Sequence, residues 1–315
     1  MKRLHWVDYG LVIGFLALAG ALTAASPVFL TWSNLMNVAR QVSINGLLAA
    51  GETFVVLSAG IDISVGSTMA LAGAVVAGVG LAHGFALGGL AALLVGTAVG
   101  LANGLFVVRF RVPAFIATLA MLGIARGATL IYTQGRPISG LPESFLFIGN
   151  GWLGPVPFPV VLMLATYAAA HVTLRYTAFG RYVYAVGGNA RAARYAGIHT
   201  EKVLYAVYAI AGFLAAVGGI VLTSRLASAD PQAGVGIELD AIAAVVLGGA
   251  SLFGGEGSVL RTLLGALILG VLNNGMNLLN VSPFYQEVIK GAVILFAVVV
   301  GNWRPRSQGQ FKTGG

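Results

Sequence analysis

The sequence predicts an all-α, polytopic integral membrane protein with about ten transmembrane helices. Three observations predict it. Only 9% of the 315 residues are charged, whereas hydrophobic residues make up 58%. Mean hydropathy is +0.89. The apolar residues fall in long runs without sustained alternation, which favours helices over a barrel. A chain this poor in charge cannot coat a water-soluble globule, since soluble domains average roughly 25% charged residues. A soluble enzyme, a disordered chain and a nucleic-acid binder are thereby excluded. The sequence has no cysteine, so disulfides, thiolate metal sites and cysteine nucleophiles are excluded too.

A helix crossing the hydrocarbon needs about 20 apolar residues. Ten candidate spans follow: 9–29, 42–59, 67–83, 87–108, 113–132, 158–174, 203–223, 240–253, 262–280 and 285–302. The whole chain, 1–315, reads as one permease-like membrane domain. The 45 glycines suit close helix packing in lipid. The first span follows a basic N-terminus and ends near Thr23-Ala24-Ala25, which resembles a signal-peptidase site. An uncleaved anchor suits a polytopic chain better. Segments 67–83 and 240–253 are short, and each is a candidate broken or re-entrant helix.

Basic residues set orientation. With both termini inside, thirteen fall on inner segments: Lys2, Arg3, Arg109, Arg111, Arg175, Arg181, Arg191, Arg194, Lys202, Arg261, Arg304, Arg306 and Lys312. Three fall outside: Arg40, Arg136 and Arg225. This bias supports ten spans with both termini cytoplasmic. The net charge of +8 therefore anchors topology and calls for no nucleic-acid partner.

Four departures from plain apolar helix stand out. Between spans two and three, Gly60-Ile61-Asp62-Ile63-Ser64-Val65-Gly66 places polar groups at a helix break. Asp62 or Ser64 can cap the next helix, or the segment can line a polar path. Pattern alone leaves both open. The inner loop 175–202 is the second. Asn189 there can cap a short basic helix from Ala190, and Gly197 can end it. It is either an interfacial helix on anionic lipid or a docking element for a cytoplasmic partner.

The third departure is the ionisable set within spans. Glu52 and Arg126 lie at depths that allow a structural ion pair, and Glu287 can satisfy Lys290 at i, i+3. The fourth is a set of amides: Asn103 in span four, and Asn273, Asn274 and Asn277 in span nine. They either bond across helices or line a path for a polar neutral solute. Leu-Ala-Asn-Gly at 101–104 and Leu-Asn-Asn-Gly at 272–275 are each followed by a Val-(Ser)-Pro turn. Spans 42–132 and 203–302 are therefore candidate inverted repeats. There is no GxxxxGK[ST] phosphate loop and no nucleophile–base or metal set, so an ATP-driven motor belongs on another chain.

The run Gly-Ile-Asp-Ile-Ser-Val-Gly-Ser at 60–67 resembles the hallmark of permease subunits of ribose-type ABC sugar importers. So does the loop Ala185–Ile198, with Gly187, Gly188, Asn189, Ala192, Ala193 and Gly197. The stretch 238–249 and the stretch 264–275 are similar to the same family. The likeness covers about 35–302. It implies a bacterial inner-membrane subunit that imports ribose or a similar monosaccharide. It implies no cofactor in this chain, with ATP and magnesium on a separate ABC ATPase. The other implied partners are a periplasmic sugar-binding protein and a second permease, identical or a paralogue. The loop residues just named would contact the ATPase, while Asp62, Ser64, Asn103, Asn273, Asn274 and Asn277 would border the path. The competing reading is an ion-coupled secondary transporter of a small polar solute.

Overall fold

The computed structural model describes residues 6–302; the expectations that rest on Lys2, Arg3, Arg304, Arg306 and Lys312 lie outside them. The elements are α1 (Trp6–Ala25), α2 (Trp32–Leu57), α3 (Val65–His83), α4 (Phe85–Val108) and α5 (Ala114–Thr133). Then come β1 (Ile138–Ser139), α6 (Glu143–Asn150), β2 (Trp152–Leu153), β3 (Val156–Pro157) and α7 (Phe158–Tyr176). After these follow α8 (Ala178–Gly188), α9 (Ala190–Tyr195), α10 (Thr200–Leu226), β4 (Ser228–Ala229), α11 (Ile237–Leu247), α12 (Val259–Leu278) and α13 (Pro283–Asn302). Six of these, α3, α4, α5, α7, α10 and α12, are both long and apolar enough to cross a membrane. The four short strands form two two-stranded pieces, β1 with β4 and β2 with β3.

The expected short span at 67–83 is a full 19-residue helix. The segment 240–253, a candidate broken or re-entrant helix, is not one continuous span. Its helix, α11, has 11 residues, about 16 Å at 1.5 Å per residue and half the hydrocarbon thickness. Before it, residues 230–236 run inward from the β1–β4 pair as a re-entrant segment. Gly234 and Gly236 there have φ of +79° and +83°, a left-handed backbone that costs glycine little. After it, residues 248–258 return to the face that carries α8. The loop 175–202 also holds more helix than expected. Thr177 Oγ1 accepts from Gly180 N at 3.2 Å and starts α8, which buries Gly180, Val183, Val186 and Gly187 on one side.

Helix α10 is the centre of the bundle and packs on α4, α2 and α3. Its tightest seam is with α4. A Cβ on Gly96 would meet the Gly212 carbonyl at 2.5 Å, one on Gly100 would strike the Tyr208 carbonyl, and one on Gly104 would press on Tyr205. The i, i+4 spacing puts these three glycines on one stripe, so the two backbones meet without side chains between them. Elsewhere α10 buries Val207, Tyr208, Ala211 and Ala215 against Leu47, Leu48 and Val55 of α2. The contacts of α2 with α10, α11 and α12 are paralleled by those of α10 with α2, α3 and α4. Likewise α3 touches α4 and α5, as α11 touches α12 and α13.

Candidate functional site

The break between α2 and α3 forms the polar centre. Asp62 Oδ1 accepts from Ser64 N at 2.9 Å and from Ser64 Oγ at 2.6 Å. Asn103 of α4 donates its Nδ2 to Asp62 Oδ2 at 3.2 Å and to Ser64 Oγ at 2.9 Å. Glu52 of α2 accepts from Asp62 N at 3.1 Å, and Thr118 of α5 donates to Ile61 O at 3.3 Å. Three neighbouring helices thus supply partners for one turn of broken backbone, which lipid itself cannot do. Ser64 occupies the N-cap of α3 without a side-chain cap bond. Asp62 organises the turn instead, as an Asx-type acceptor.

The second break meets the first. A Cβ on Gly66, in the first turn of α3, would strike the Glu238 carboxylate and the Gly234 carbonyl. Glu238 Oε1 accepts from Gly236 N at 3.3 Å and lies in the first turn of α11, where the helix dipole favours negative charge. The N-terminal turns of α3 and α11 therefore adjoin inside the bundle, each beside a carboxylate. Arg126 holds the re-entrant segment: its Nη1 donates to Pro231 O at 2.6 Å and Ala233 O at 2.9 Å.

These contacts correct the expected Glu52–Arg126 ion pair. Among the described residues no ion pair joins them; Glu52 serves the backbone of one break, and Arg126 serves the backbone of the other. Arg126→Gln is expected to lower stability by about 2 kcal/mol, through loss of two charged hydrogen bonds. Glu52→Gln keeps an acceptor for Asp62 N. The double variant should lose the sum of the singles within about 0.5 kcal/mol. Denaturation of purified protein checks this, and partial repair in the double variant would restore the ion pair.

The expected path residues divide. Asp62 and Asn103 are 1% and 0% exposed; the Asp62 carboxylate and the Asn103 Nδ2 are engaged within the break, while Asn103 Oδ1 is buried without a hydrogen-bond partner. Asn274 is buried and exchanges two amide bonds with Asn34, at 2.8 and 3.0 Å; it ties α12 to α2. Asn273 is buried too, whereas Asn277 is exposed and accepts from Gln286 Nε2 at 2.9 Å. The expected Glu287–Lys290 pair is present at 3.0 Å. Lys290 also approaches Asp240 at 3.9 Å, a contact between α13 and α11.

On the face bearing α8 and α9, Asn189 Oδ1 accepts from Ala192 N at 3.0 Å and caps α9. Gly197 follows it with φ of +83°. Gly188, Asn189, Ala192 and Gly197 are exposed. Two of the expected contact residues are not. Ala193 is 5% exposed and belongs to the core. Gly187 lies so close to Leu57 O and Gly255 N that no Cβ fits. Tyr195, 92% exposed, is the surface feature of α9 that the pattern of small residues concealed.

Residues 34–298 match the family described as "Branched-chain amino acid transport system / permease component". The chain belongs to that family. The permease is 48% identical over 299 residues to the ribose import permease protein RbsC of Escherichia coli (strain K12), covering 92% of both chains. It is 46% identical over 309 residues to the RbsC of Bacillus subtilis (strain 168), covering 95% of both. It is also 36% identical over 296 residues to the L-arabinose ABC transporter permease protein AraH of Azospirillum brasilense, covering 94% of the permease and 87% of that relative. No solved structure matches it.

Proposed function

We propose that the chain is the membrane-spanning subunit of an ATP-driven importer of ribose or a similar monosaccharide. The observation that carries this is the 46–48% identity, over more than nine-tenths of both chains, to proteins named for ribose import. An ABC ATPase supplies the ATP and magnesium chemistry from the face bearing α9. A sugar-binding protein delivers solute to the opposite face, and a second permease, identical or a paralogue, completes the path. Both termini and α9 are then cytoplasmic. The eight described basic residues at the α9 end of the helices support this, against three at the other end. The parallel contacts of α2 and α10 support an inverted repeat of 42–132 and 203–302. The two breaks act as braces whose opening widens the path; Asp62, Ser64 and Asn103 hold one of them.

The test is uptake of radiolabelled ribose into vesicles reconstituted with ATPase and binding protein. Uptake is expected only with internal ATP. Uptake driven by a proton or sodium gradient, without the ATPase, would establish the ion-coupled alternative. A single cysteine at position 189 should resist a membrane-impermeant reagent applied from outside; labelling there would reverse the orientation. Ala192→Trp, on the exposed side of α9, should leave the permease folded and release the ATPase during co-purification. Ala193→Trp should instead lower the yield of permease itself, because its site is filled. A fully retained ATPase in the Ala192→Trp variant would remove α9 from the docking surface.

A further inference from the structure

We propose that the groove between the end of α7, α8 and the turn before α12 binds the headgroup of an anionic phospholipid. The groove encloses about 690 Å³ and is lined by His171, Arg175, Arg181, Tyr184, Glu256 and Arg261, among others. Among the described residues, three guanidinium groups and one carboxylate line this concavity. Among the described residues, neither Arg175 nor Arg181 forms an ion pair with Glu256 or any other carboxylate. Guanidinium groups fit phosphate oxygens in pairs, through parallel N–H donors.

The floor is fixed. Tyr184 Oη donates to Gly257 O at 3.1 Å and so ties α8 to the turn. Burial pushes the Tyr184 phenol above its ordinary range, despite the opposing pull of Arg261 and Arg175, so it stays a proton donor.

The surroundings favour a lipid over a soluble anion. Val172 and Tyr176 of α7 and Leu260 of α12, close in sequence to the lining residues, expose apolar surface at 52%, 70% and 47%. A phosphate seated among the arginines would leave its acyl chains beside these side chains at the end of the spans. Basic pockets between transmembrane helices bind anionic headgroups in this way. The larger cavity beside α9, about 950 Å³, holds Arg109, Arg111, Arg191 and Arg194. There Arg194 already approaches Glu201 at 3.7 Å, and α9 forms part of the wall. No residue of α9 lines the α7–α8 groove, although its Gly255 edge lies against Gly188 of α8.

The test is native mass spectrometry of the purified permease in mild detergent, offered dioleoylphosphatidylglycerol or dioleoylphosphatidylcholine. Phosphatidylglycerol should be retained about tenfold better. Arg175→Gln with Arg181→Gln should reduce its retention about tenfold. The paired Arg→Lys variant should keep most of it, and Arg136→Gln, at the other end of the helices, should leave it unchanged. Equal retention of the two lipids, or unaltered retention in the double Gln variant, would overturn the proposal. So would displacement of phosphatidylglycerol by inorganic phosphate alone, which would mark a soluble-anion site. This readout involves no transported sugar and no assumption about which face is cytoplasmic, so it fails or succeeds independently of the transport reading.

Discussion

Gly100→Leu is expected to abolish recovery of folded permease. A Cβ alone at this position strikes the Tyr208 carbonyl and lies 3.2 Å from the Ala209 Cα. The obstacle is backbone, so no rotamer change relieves it. Overpacking ordinarily costs about 1–3 kcal/mol, and here α4 and α10 must separate along the seam formed with Gly96 and Gly104. The expected cost is at the top of that range or beyond it, a large share of a membrane bundle's stability. The control is Gly89→Leu on the same helix, where a Cβ has no heavy atom within 4 Å. Monodisperse yield by size-exclusion chromatography should fall to background for Gly100→Leu and stay at the parent level for Gly89→Leu. A monodisperse, thermally unaltered Gly100→Leu protein would refute the seam.

The second large effect is expected from Asp62→Ala. The substitution removes the acceptor of Ser64 N and Ser64 Oγ, and deprives Asn103 of one of its acceptors. A buried donor left unsatisfied costs about 1–3 kcal/mol, so two orphaned donors cost on the order of 3 kcal/mol. Asp62→Asn keeps one oxygen acceptor and should retain roughly half of the loss in thermal stability. Asn103→Leu removes a donor and leaves the Asp62–Ser64 turn intact, so it should fall between the two. Thermal unfolding of the three purified variants orders them. An Asp62→Ala protein as stable as the parent would show that the break is held by helix packing alone.

Much of this arrangement was legible in the sequence, and the reasons differ from element to element. The break at 58–64 announced itself through Gly60, Asp62 and Ser64, because turn and cap chemistry is local. The cap of α9 was legible at Asn189 for the same reason. The segment 240–253 reads as short and a candidate broken helix, but the end of α11 at Leu247 does not show, because Ala241–Leu247 flows into further small and apolar residues up to Phe253. Hydropathy averages composition and cannot see that Gly248 and Gly249 turn the chain. Helix α8 reads as loop from sequence because its buried side is spaced glycine and valine among aromatics.

The Glu52–Arg126 expectation failed on physical grounds. It counted side chains as the only partners for buried charge. At broken helices the backbone itself presents unpaired groups, and these leave no mark in residue identity. Asp62 N–H and the carbonyls of Pro231 and Ala233 claimed both side chains. Ala193 and Gly187 are buried in this chain rather than exposed for a partner, and the sequence conceals this for a related reason. Small residues mark close approach, but not whether the approaching surface is a partner or the chain's own core.

The brevity of α11 bears on how the chain enters the bilayer. Helices α10 and α12 cross in the same direction, since the turn at Gly255 before α12 lies against Gly188 at the end of α8, on the face from which α10 starts. The intervening residues must therefore return across the membrane with only 11 helical residues, too few to be retained in lipid as an independent span. During synthesis this stretch has no stable resting place until α12 emerges and Gly265 can close on the Ala244 carbonyl. Its re-entrant carbonyls also need Arg126, which α5 has already carried into the bilayer. Membrane insertion and tertiary folding are thus one event here, ordered from the N-terminal half to the C-terminal half. A nascent chain halted before residue 259 would hold its last segment on the wrong side of the membrane, exposed to quality-control proteolysis.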